Sequence, residues 1–381
     1  MNNLKLMTRF LAQGWRRRVD RGGPIFVTLF VTSRCNSRCG HCFYLDTMIE
    51  RKGHGELSRE ELEQVAASMP PFTKLLISGG EPFIREDLPQ ICEAFYRHNH
   101  VGQFTIPTNA TFPKRIAEGA SWMADQCPDA FIQLQISIDG VGEDHDRVRK
   151  TPGNFKKMVE TIRLIKEAQK TRPNLDMIFN FTLTAYTVNH VESICEFLDK
   201  EVKTKHLHMN MVRGIPHEKE TLVVTPEQHA NAVATIARYF DKGNGEQDWQ
   251  SRVFGRLFAS RKAFTMTRIH GVAGEQQATP YVPCKAGLLN VVIQEQGDVQ
   301  ACEIIDRPLG NLRDVGLDFM KIWDGPQLRS FREEILKNRC TCTHETNVST
   351  NFYFSLSSYQ RFAGHLLRGG NKATGQHVAN K

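Results

Sequence analysis

Three cysteines within eight residues, Cys35-Asn-Ser-Arg-Cys39-Gly-His-Cys42, follow directly on an apolar run at residues 25–32 and limit what this chain can be. The run reads as a buried strand, so the thiols fall at its carboxyl tip. Thiolates suit soft metals, and cysteine is the usual protein ligand of iron–sulfur clusters. Three ligands are one fewer than a four-iron cluster normally takes, which leaves one iron open to a small molecule. The triplet alone also suits a zinc knuckle or a reduced structural loop.

A second strand, residues 74–78, ends on Gly79-Gly80-Glu81-Pro82. CxxxCxxC after the first strand together with GGEP after the second resembles the radical S-adenosylmethionine superfamily. His41 stands where that family prefers an aromatic residue before the third cysteine. The resemblance implies that Cys35, Cys39 and Cys42 hold a 4Fe–4S cluster whose open iron is chelated by the amino and carboxylate groups of S-adenosylmethionine. It implies that the backbone of residues 79–82 and Glu81 receive the methionyl amino group. His41, Gly79, Gly80, Glu81 and Pro82 then count among the cofactor contacts, and an external donor such as flavodoxin or ferredoxin supplies electrons. Two adjacent glycines permit close backbone approach to a ligand, which is the physical part of that reading.

A chain of 381 residues, 40% hydrophobic and 24% charged, has room for two domains or one large domain with an extension. No run approaches the roughly 18 apolar residues of a membrane span, and no signal peptide precedes the first strand. A soluble, cytoplasmic protein is expected. Ten cysteines in such a chain argue for metal ligation over disulfides. The net charge of +7 permits nucleic acid without implying it.

Residues 1–22 hold six Lys or Arg against one acid, with Leu4, Met7, Leu11 and Trp15 at helical spacing. This basic amphipathic helix either lies on an anionic membrane or packs its stripe under the main domain, and the second is the expectation. Strands are expected at 25–32, 74–78, 103–108, 131–138, 175–184 and 205–212. Helices are expected at 58–69, 87–99, 114–125, 155–170, 191–201 and 226–242, the first opened by a Ser58/Glu61 capping box. Alternation of this kind predicts an α/β fold with right-handed crossovers. The count fits a six-stranded parallel partial (β/α)6 barrel, the core shared by the resembled family, over residues 23–242. Ligands of such sheets sit at the carboxyl ends of the strands. Those ends carry the cysteines, Gly79-Gly80-Glu81, Pro107-Thr108-Asn109, Ser137-Ile-Asp139-Gly140, residues 180–184 and Met211-Val-Arg213. The resemblance puts Asn109, Ser137 and Asp139 near the ribose and Arg149 near the carboxylate of S-adenosylmethionine. Ser and Asp after a strand also serve as turn formers and helix caps.

Residues 243–283 read as a linker with one helix at 251–266. Beyond it, Cys284 precedes a β-hairpin that carries Cys302, and a helix at 326–337 delivers Cys340 and Cys342. Four thiols suffice for one closed site, of zinc or iron–sulfur. Cys284-x12-Gly297-x4-Cys302 resembles the auxiliary-cluster extension of the same superfamily, SPASM when long and Twitch when short. The long form continues with further cysteines, whereas here Thr346 and Asn347 follow and no cysteine comes after Cys342. The resemblance therefore implies a small C-terminal hairpin and helix domain, 284–355, with one auxiliary 4Fe–4S cluster on Cys284, Cys302, Cys340 and Cys342, or a non-cysteine fourth ligand. Cys92, Cys127 and Cys195 fall on or near helices and are expected in the core. Residues 356–381 read as a basic, partly disordered tail.

The implied activity is reductive cleavage of S-adenosylmethionine to a 5′-deoxyadenosyl radical that takes hydrogen from an unactivated carbon. A net oxidation or rearrangement of a sugar or a lipid-linked precursor is the favoured outcome. A peptide maturase, an RNA-modifying enzyme and a non-enzymatic iron–sulfur or zinc scaffold are the alternatives. RNA would want a basic domain or an aromatic-studded groove, and neither stands out. A scaffold has no use for Gly79-Gly80-Glu81 at a cluster mouth. No catalytic acid, base or hydrogen donor can be assigned.

Overall fold

The structure, a computed structural model, describes residues 3–241 except 21, 205 and 213, residues 283–355 except 339 and 341–344, and residue 360. Helix α1 (Asn3–Asp20) leads into β1 (Phe26–Thr32), which is buried along its whole length. A strand covered on both faces reads as a continuous apolar run for that reason. After the cysteine loop come α2 (Leu45–Arg51) and α3 (Arg59–Ser68). The capping box closes at the start of α3, with Glu61 N donating to Ser58 Oγ (3.1 Å) and Ser58 N to Glu61 Oε2 (2.8 Å).

The alternation then continues through β2 (Lys74–Gly79), α4 (Leu88–Asn99), β3 (Gln103–Thr108), α5 (Pro113–Gln126) and β4 (Phe131–Ser137). Next come α6 (Glu143–Arg149), α7 (Asn154–Gln169), β5 (Leu175–Leu183), α8 (Val191–Phe197), β6 (Leu207–Met211) and α9 (Pro226–Asp241). These six strands pair in parallel and in sequence order. The helices at α2 and α6 escape the sequence reading because seven residues hold too few turns to show a period. The helix expected at 191–201 is regular only as far as Phe197 and finishes in a π-turn over Leu198–Val202.

The extension adds β7 (Asn290–Ile293), β8 (Asp298–Gln300), β9 (Pro308–Asn311), α10 (Phe319–Trp323), α11 (Pro326–Lys337) and α12 (Glu345–Tyr353). It does not stand apart from a six-stranded body. β7 pairs in parallel with β1, Val27 facing Val291 and Leu29 facing Ile293, and the result is one open nine-stranded sheet ordered β6-β5-β4-β3-β2-β1-β7-β8-β9. The physical reason is the second edge of β1, whose unpaired backbone would otherwise remain open. Cys302 sits just past β8 and not on it. Residues 242–282, which hold nearly all of the expected linker and its helix, lie outside the described residues, as do Arg213, Cys342 and residues 361–381.

Inside the barrel the strands alternate. Phe104, Ile106, Ile132, Leu134 and Ile136 face the helices and are buried, whereas Gln103, Thr105, Gln133 and Gln135 face a half-buried lumen. The floor of that lumen, at the amino ends of the strands, is formed by α1 and α12. Phe10 packs on Tyr353 and Phe354 at ring distances of 6.1 and 5.3 Å. Gly14 admits the Phe354 ring where a Cβ would stand 2.2 Å from it. Among the described side chains of α1 the buried line runs through Leu6, Phe10 and Gly14, with Leu11 and Trp15 of the expected stripe packed at its edge; Leu4 and Met7 lie outside the described side chains. No helix among the described residues is long and apolar enough to cross a membrane.

Phe10→Ala should cost about 3–5 kcal/mol, as removal of a buried aromatic ring does. Chemical denaturation of the full chain checks this, and a loss within about 0.5 kcal/mol, typical of a surface position, would contradict the packing of α1.

Candidate functional site

The loop at the tip of β1 holds its three sulfurs by burial and by backbone donors. Ser37 N donates to Cys35 Sγ at 3.4 Å, and Cys39 is almost fully buried. Cys35, Cys39 and Cys42 line one cavity of about 510 Å³ that runs into the barrel lumen. Burial pushes the Cys35 thiol up to about 11 and Cys42 up to about 12, with Cys39 adding to the rise of both and Cys35 to that of Cys42. Left alone they stay protonated, whereas a bound metal centre would deprotonate them outright. Among the described residues no three Cys, His, Asp or Glu side chains are grouped to hold a single metal ion. A four-iron cluster spreads its cysteine sulfurs over the corners of a larger body.

The Gly79-Gly80 turn lies against this loop backbone to backbone. Gly80 N donates to Thr32 O at 2.8 Å and Glu81 N to Arg34 O at 2.9 Å. A Cβ on Gly79 would sit 2.3 Å from Thr32 O, and one on Gly80 would sit 2.0 Å from Arg34 O. Gly79 also has φ of +112°, which only glycine adopts readily. The Glu81 carboxylate is committed to the protein. It accepts from Phe83 N (3.1 Å), Thr108 Oγ (2.8 Å) and Asn109 N (2.6 Å), and burial nevertheless pushes it up to about 7. Asn109 in turn donates Nδ2 to Asn36 Oδ1 (2.8 Å) and Ser37 Oγ (3.1 Å), pinning the cysteine loop to the tip of β3.

Asp139 and Arg149 form a buried pair, with Nε and Oδ2 2.7 Å apart. Burial alone would raise the Asp139 carboxyl, but Arg149, His41 and His145 hold it below its usual range. Thr182 N donates to its other oxygen at 3.2 Å. The Arg149 guanidinium is also electrostatically coupled to Cys39 and Cys35. Burial pushes the His41 ring down; its Nε2 is 3.7 Å from Asp139, and its buried Nδ1 has no hydrogen-bond partner among the described residues. Of the expected cofactor contacts, all but Pro82 and Asp139 line the cavity. Pro82 opens a buried turn (Pro82–Ile84), and Asp139 sits behind Arg149 as its counter-charge.

The second thiol site lies at the opposite end of the sheet. Cys284 precedes β7, which runs parallel to β1, and Cys302 follows β8, which runs antiparallel to β7. Both therefore fall at the amino ends of the barrel strands. Ala286 N donates to Cys284 Sγ (3.4 Å) and Ile304 N to Cys302 Sγ (3.5 Å), the device used at Cys35. Cys340 acts on Cys284, Cys284 on Cys302 and Cys302 on Cys340, each raising its neighbour. Cys92, Cys127 and Cys195 lie in the apolar core.

Sequence reasoning reached Asn180 at the tip of β5 but missed the lumen residues Gln103, Gln133, Gln135 and Asn210, all lining the cavity with the first three thiols. Their signal was present: polar residues recur at every second position of β3 to β6, where strands buried on both faces would be uniformly apolar.

A profile of the radical SAM superfamily matches residues 29–198, and one of the SPASM iron–sulfur cluster-binding domain matches residues 284–344. The chain is 25% identical over 355 residues to pre-heme d1 synthase of Dinoroseobacter shibae, covering 88% of this chain and 83% of that protein. It is 26% identical over 330 residues to the mycofactocin maturase MftC of Mycobacterium ulcerans, covering 84% and 80%. Among solved structures, native anSMEcpe with bound AdoMet superposes with a TM-score of 0.59 at 17% identity, over 92% of this chain and 100% of that one. Streptococcus suis SuiB bound to its precursor peptide SuiA gives 0.56 at 14% identity, over 87% and 72%. Identities so low show a shared fold only.

Gly80→Ala should loosen the cysteine loop by about 1–3 kcal/mol through overpacking, which is roughly five- to 150-fold in exposure of the thiols. Alkylation rates of Cys35, Cys39 and Cys42 in metal-free protein check this. Rates equal to wild type would remove the steric argument.

Proposed function

The chain belongs to the radical S-adenosylmethionine superfamily and carries an iron–sulfur cluster-binding SPASM domain, and on that premise we propose that it oxidises an unactivated C–H bond of a polar substrate held in the barrel lumen. The cofactors are a 4Fe–4S cluster with S-adenosylmethionine and an auxiliary cluster. Cys35, Cys39 and Cys42 hold the first, and Cys284, Cys302, Cys340 and Cys342 hold the second. The residues fit these groups: amide donors point at Cys35, Cys284 and Cys302, and the His41 Nδ1 has no partner among the described residues. The bound cluster and S-adenosylmethionine supply the chemistry that side chains lack, a 5′-deoxyadenosyl radical able to take hydrogen from carbon.

The chain's own work is placement. Asn109 and the Gly79-Gly80 turn fix the cysteine loop, and Arg149, balanced by Asp139, offsets the charge of the thiolates. Gln103, Gln133 and Gln135 on the lumen wall offer amide donors and acceptors to hydroxyl or amide groups of a substrate. The Phe10 and Tyr353 rings close the floor and keep bulk water out from below. The observation that carries the reading is that this polar wall and the three thiols share one cavity. A sugar or a similar hydroxyl-bearing compound suits such a wall. A lipid-linked precursor loses support, since the described apolar face of α1 is packed on the floor. A peptide is the second reading, favoured by the exposed Tyr186, Ile215, Leu222 and Val223 on the loops after β5 and β6.

Anaerobically reconstituted protein should bind about eight irons and, once reduced, release 5′-deoxyadenosine slowly without substrate. Replacing Cys35, Cys39 and Cys42 together should abolish that release and halve the iron. Wild-type protein with both clusters reduced and no 5′-deoxyadenosine would overturn the reading.

A further inference from the structure

Helix α12 touches both functional regions. Thr350 and Tyr353 line the cavity that also holds the first three cysteines. Less than one turn before Thr350, the buried Asn347 donates Nδ2 to the Cys302 sulfur at 3.7 Å. One turn after Asn347, Asn351 Oδ1 accepts the backbone N–H of Lys285 at 2.8 Å, fixing the residue next to Cys284. Asn347 does not hang loosely at the sulfur. Its Oδ1 accepts from Asn290 Nδ2 at 2.8 Å, and Asn290 opens β7, where that strand pairs with β1. A thiolate accepts and cannot donate, so the N–H end of Asn347 must face Cys302. The carbonyl end then needs a donor, and Asn290 supplies it. The two amides thus form a short chain, Asn290 to Asn347 to sulfur, in which each bond polarises the next.

We propose that Asn347 sets the reduction potential of the auxiliary cluster through the Cys302 sulfur, with Asn290 as the residue that orients it. Cys302 already accepts from backbone N–H groups, Ile304 N among them, and the Asn347 amide adds a side-chain donor to the same sulfur. Donors to cluster sulfurs withdraw charge and stabilise the more negative, reduced state, which raises the potential. A raised potential favours acceptance of an electron, as the oxidative reading above requires, and this inference rests on that reading. Asn347 is here a positioning residue: it touches a ligand's sulfur and not the substrate.

The test is an EPR-monitored redox titration of the full-length chain in which Cys35, Cys39 and Cys42 are replaced by Ala, so that the auxiliary cluster is observed alone. Asn347→Leu removes the donor, and Asn347→Asp replaces it with a negative charge while keeping an acceptor for Asn290. Both should lower the midpoint potential, Asp more than Leu, and Asn290→Leu should lower it less than either. A merely structural residue would change iron content without moving the midpoint. Where a variant sheds iron, the same question is put to unsubstituted Asn347. Protein labelled with nitrogen-15 in its asparagine side chains should show a nitrogen hyperfine coupling to the reduced auxiliary cluster in pulsed EPR. An unmoved midpoint in iron-replete variants, or no such coupling in the labelled protein, would overturn the assignment of Asn347 alone. Absence of iron from the auxiliary site of the unsubstituted chain would overturn the functional reading and this one with it.

Discussion

The contact on which the site depends is the Gly79-Gly80 turn pressed against the backbone of the cysteine loop. Two backbone bonds, Gly80 N to Thr32 O and Glu81 N to Arg34 O, join the tips of β1 and β2. No side chain fits between them, since a Cβ at either glycine would collide with a carbonyl oxygen. From there the Glu81 carboxylate reaches Thr108 and Asn109 at the tip of β3, and Asn109 returns to Ser37 between the first two cysteines. Three strand tips are thereby tied into a ring around the thiols. Burial of Glu81 disfavours its charge, but three donors hold the carboxylate in place, and the geometry of the loop follows from that balance.

A second constraint acts inside the barrel, where a polar wall must be satisfied before any substrate arrives. The chain does this with side chains reaching across neighbouring strands. Gln103 donates to Gln133 at 3.4 Å, Gln133 to Asp176 at 3.3 Å, and Asn210 to Asn180 at 2.8 Å. An amide carries two donors and an acceptor with two lone pairs, so each such bond still leaves capacity for a ligand. A charged wall would have cost far more to bury. The abundance of Gln and Asn on these strands is therefore a physical solution to keeping a cavity both open and polar.

Legibility followed the strength of local signals. The parallel strands from β1 to β6 were visible because apolar residues recur along each of them and helices α3, α4, α5 and α7 between them are long, and Ser58 and Glu61 marked the start of α3. The cysteine loop was visible because Gly79-Gly80-Glu81-Pro82 after the second strand stood beside a triplet that alone also suits zinc or a reduced loop. The pairing of β7 with β1 was not, since a short run such as Asn290–Ile293 carries no sign of which edge it will complete. The protein partners of Glu81 were hidden for a related reason. A carboxylate after two glycines looks ready for a ligand, and only the folded position of Thr108 and Asn109 shows that its oxygens are taken. Asp139, expected near the cofactor, likewise has a partner that local sequence did not reveal: Arg149, ten residues on across the turn of α6. Asn347 carried no signal at all, because a buried asparagine becomes informative only once its sulfur partner is known.

The direction of the strands finally decides how the two thiol sites relate. Cys35 follows the carboxyl tip of β1, while Cys284 and Cys302 flank the hairpin at the amino end, because β7 is parallel to β1 and β8 turns back. A seven-residue strand spans about 20 Å, so the sites are separated by the depth of the barrel and the lumen lies between them. Had β7 paired antiparallel to β1, both sets of cysteines would have crowded the same mouth. The parallel pairing instead leaves the mouth to the first three cysteines and the Gly79-Gly80 turn. It also sets α12 under the floor, where one helix presents Tyr353 to the lumen and Asn347 to a sulfur. The two sets of cysteines therefore lie at opposite ends of the strands, an arrangement that the edge pairing of β1 imposes.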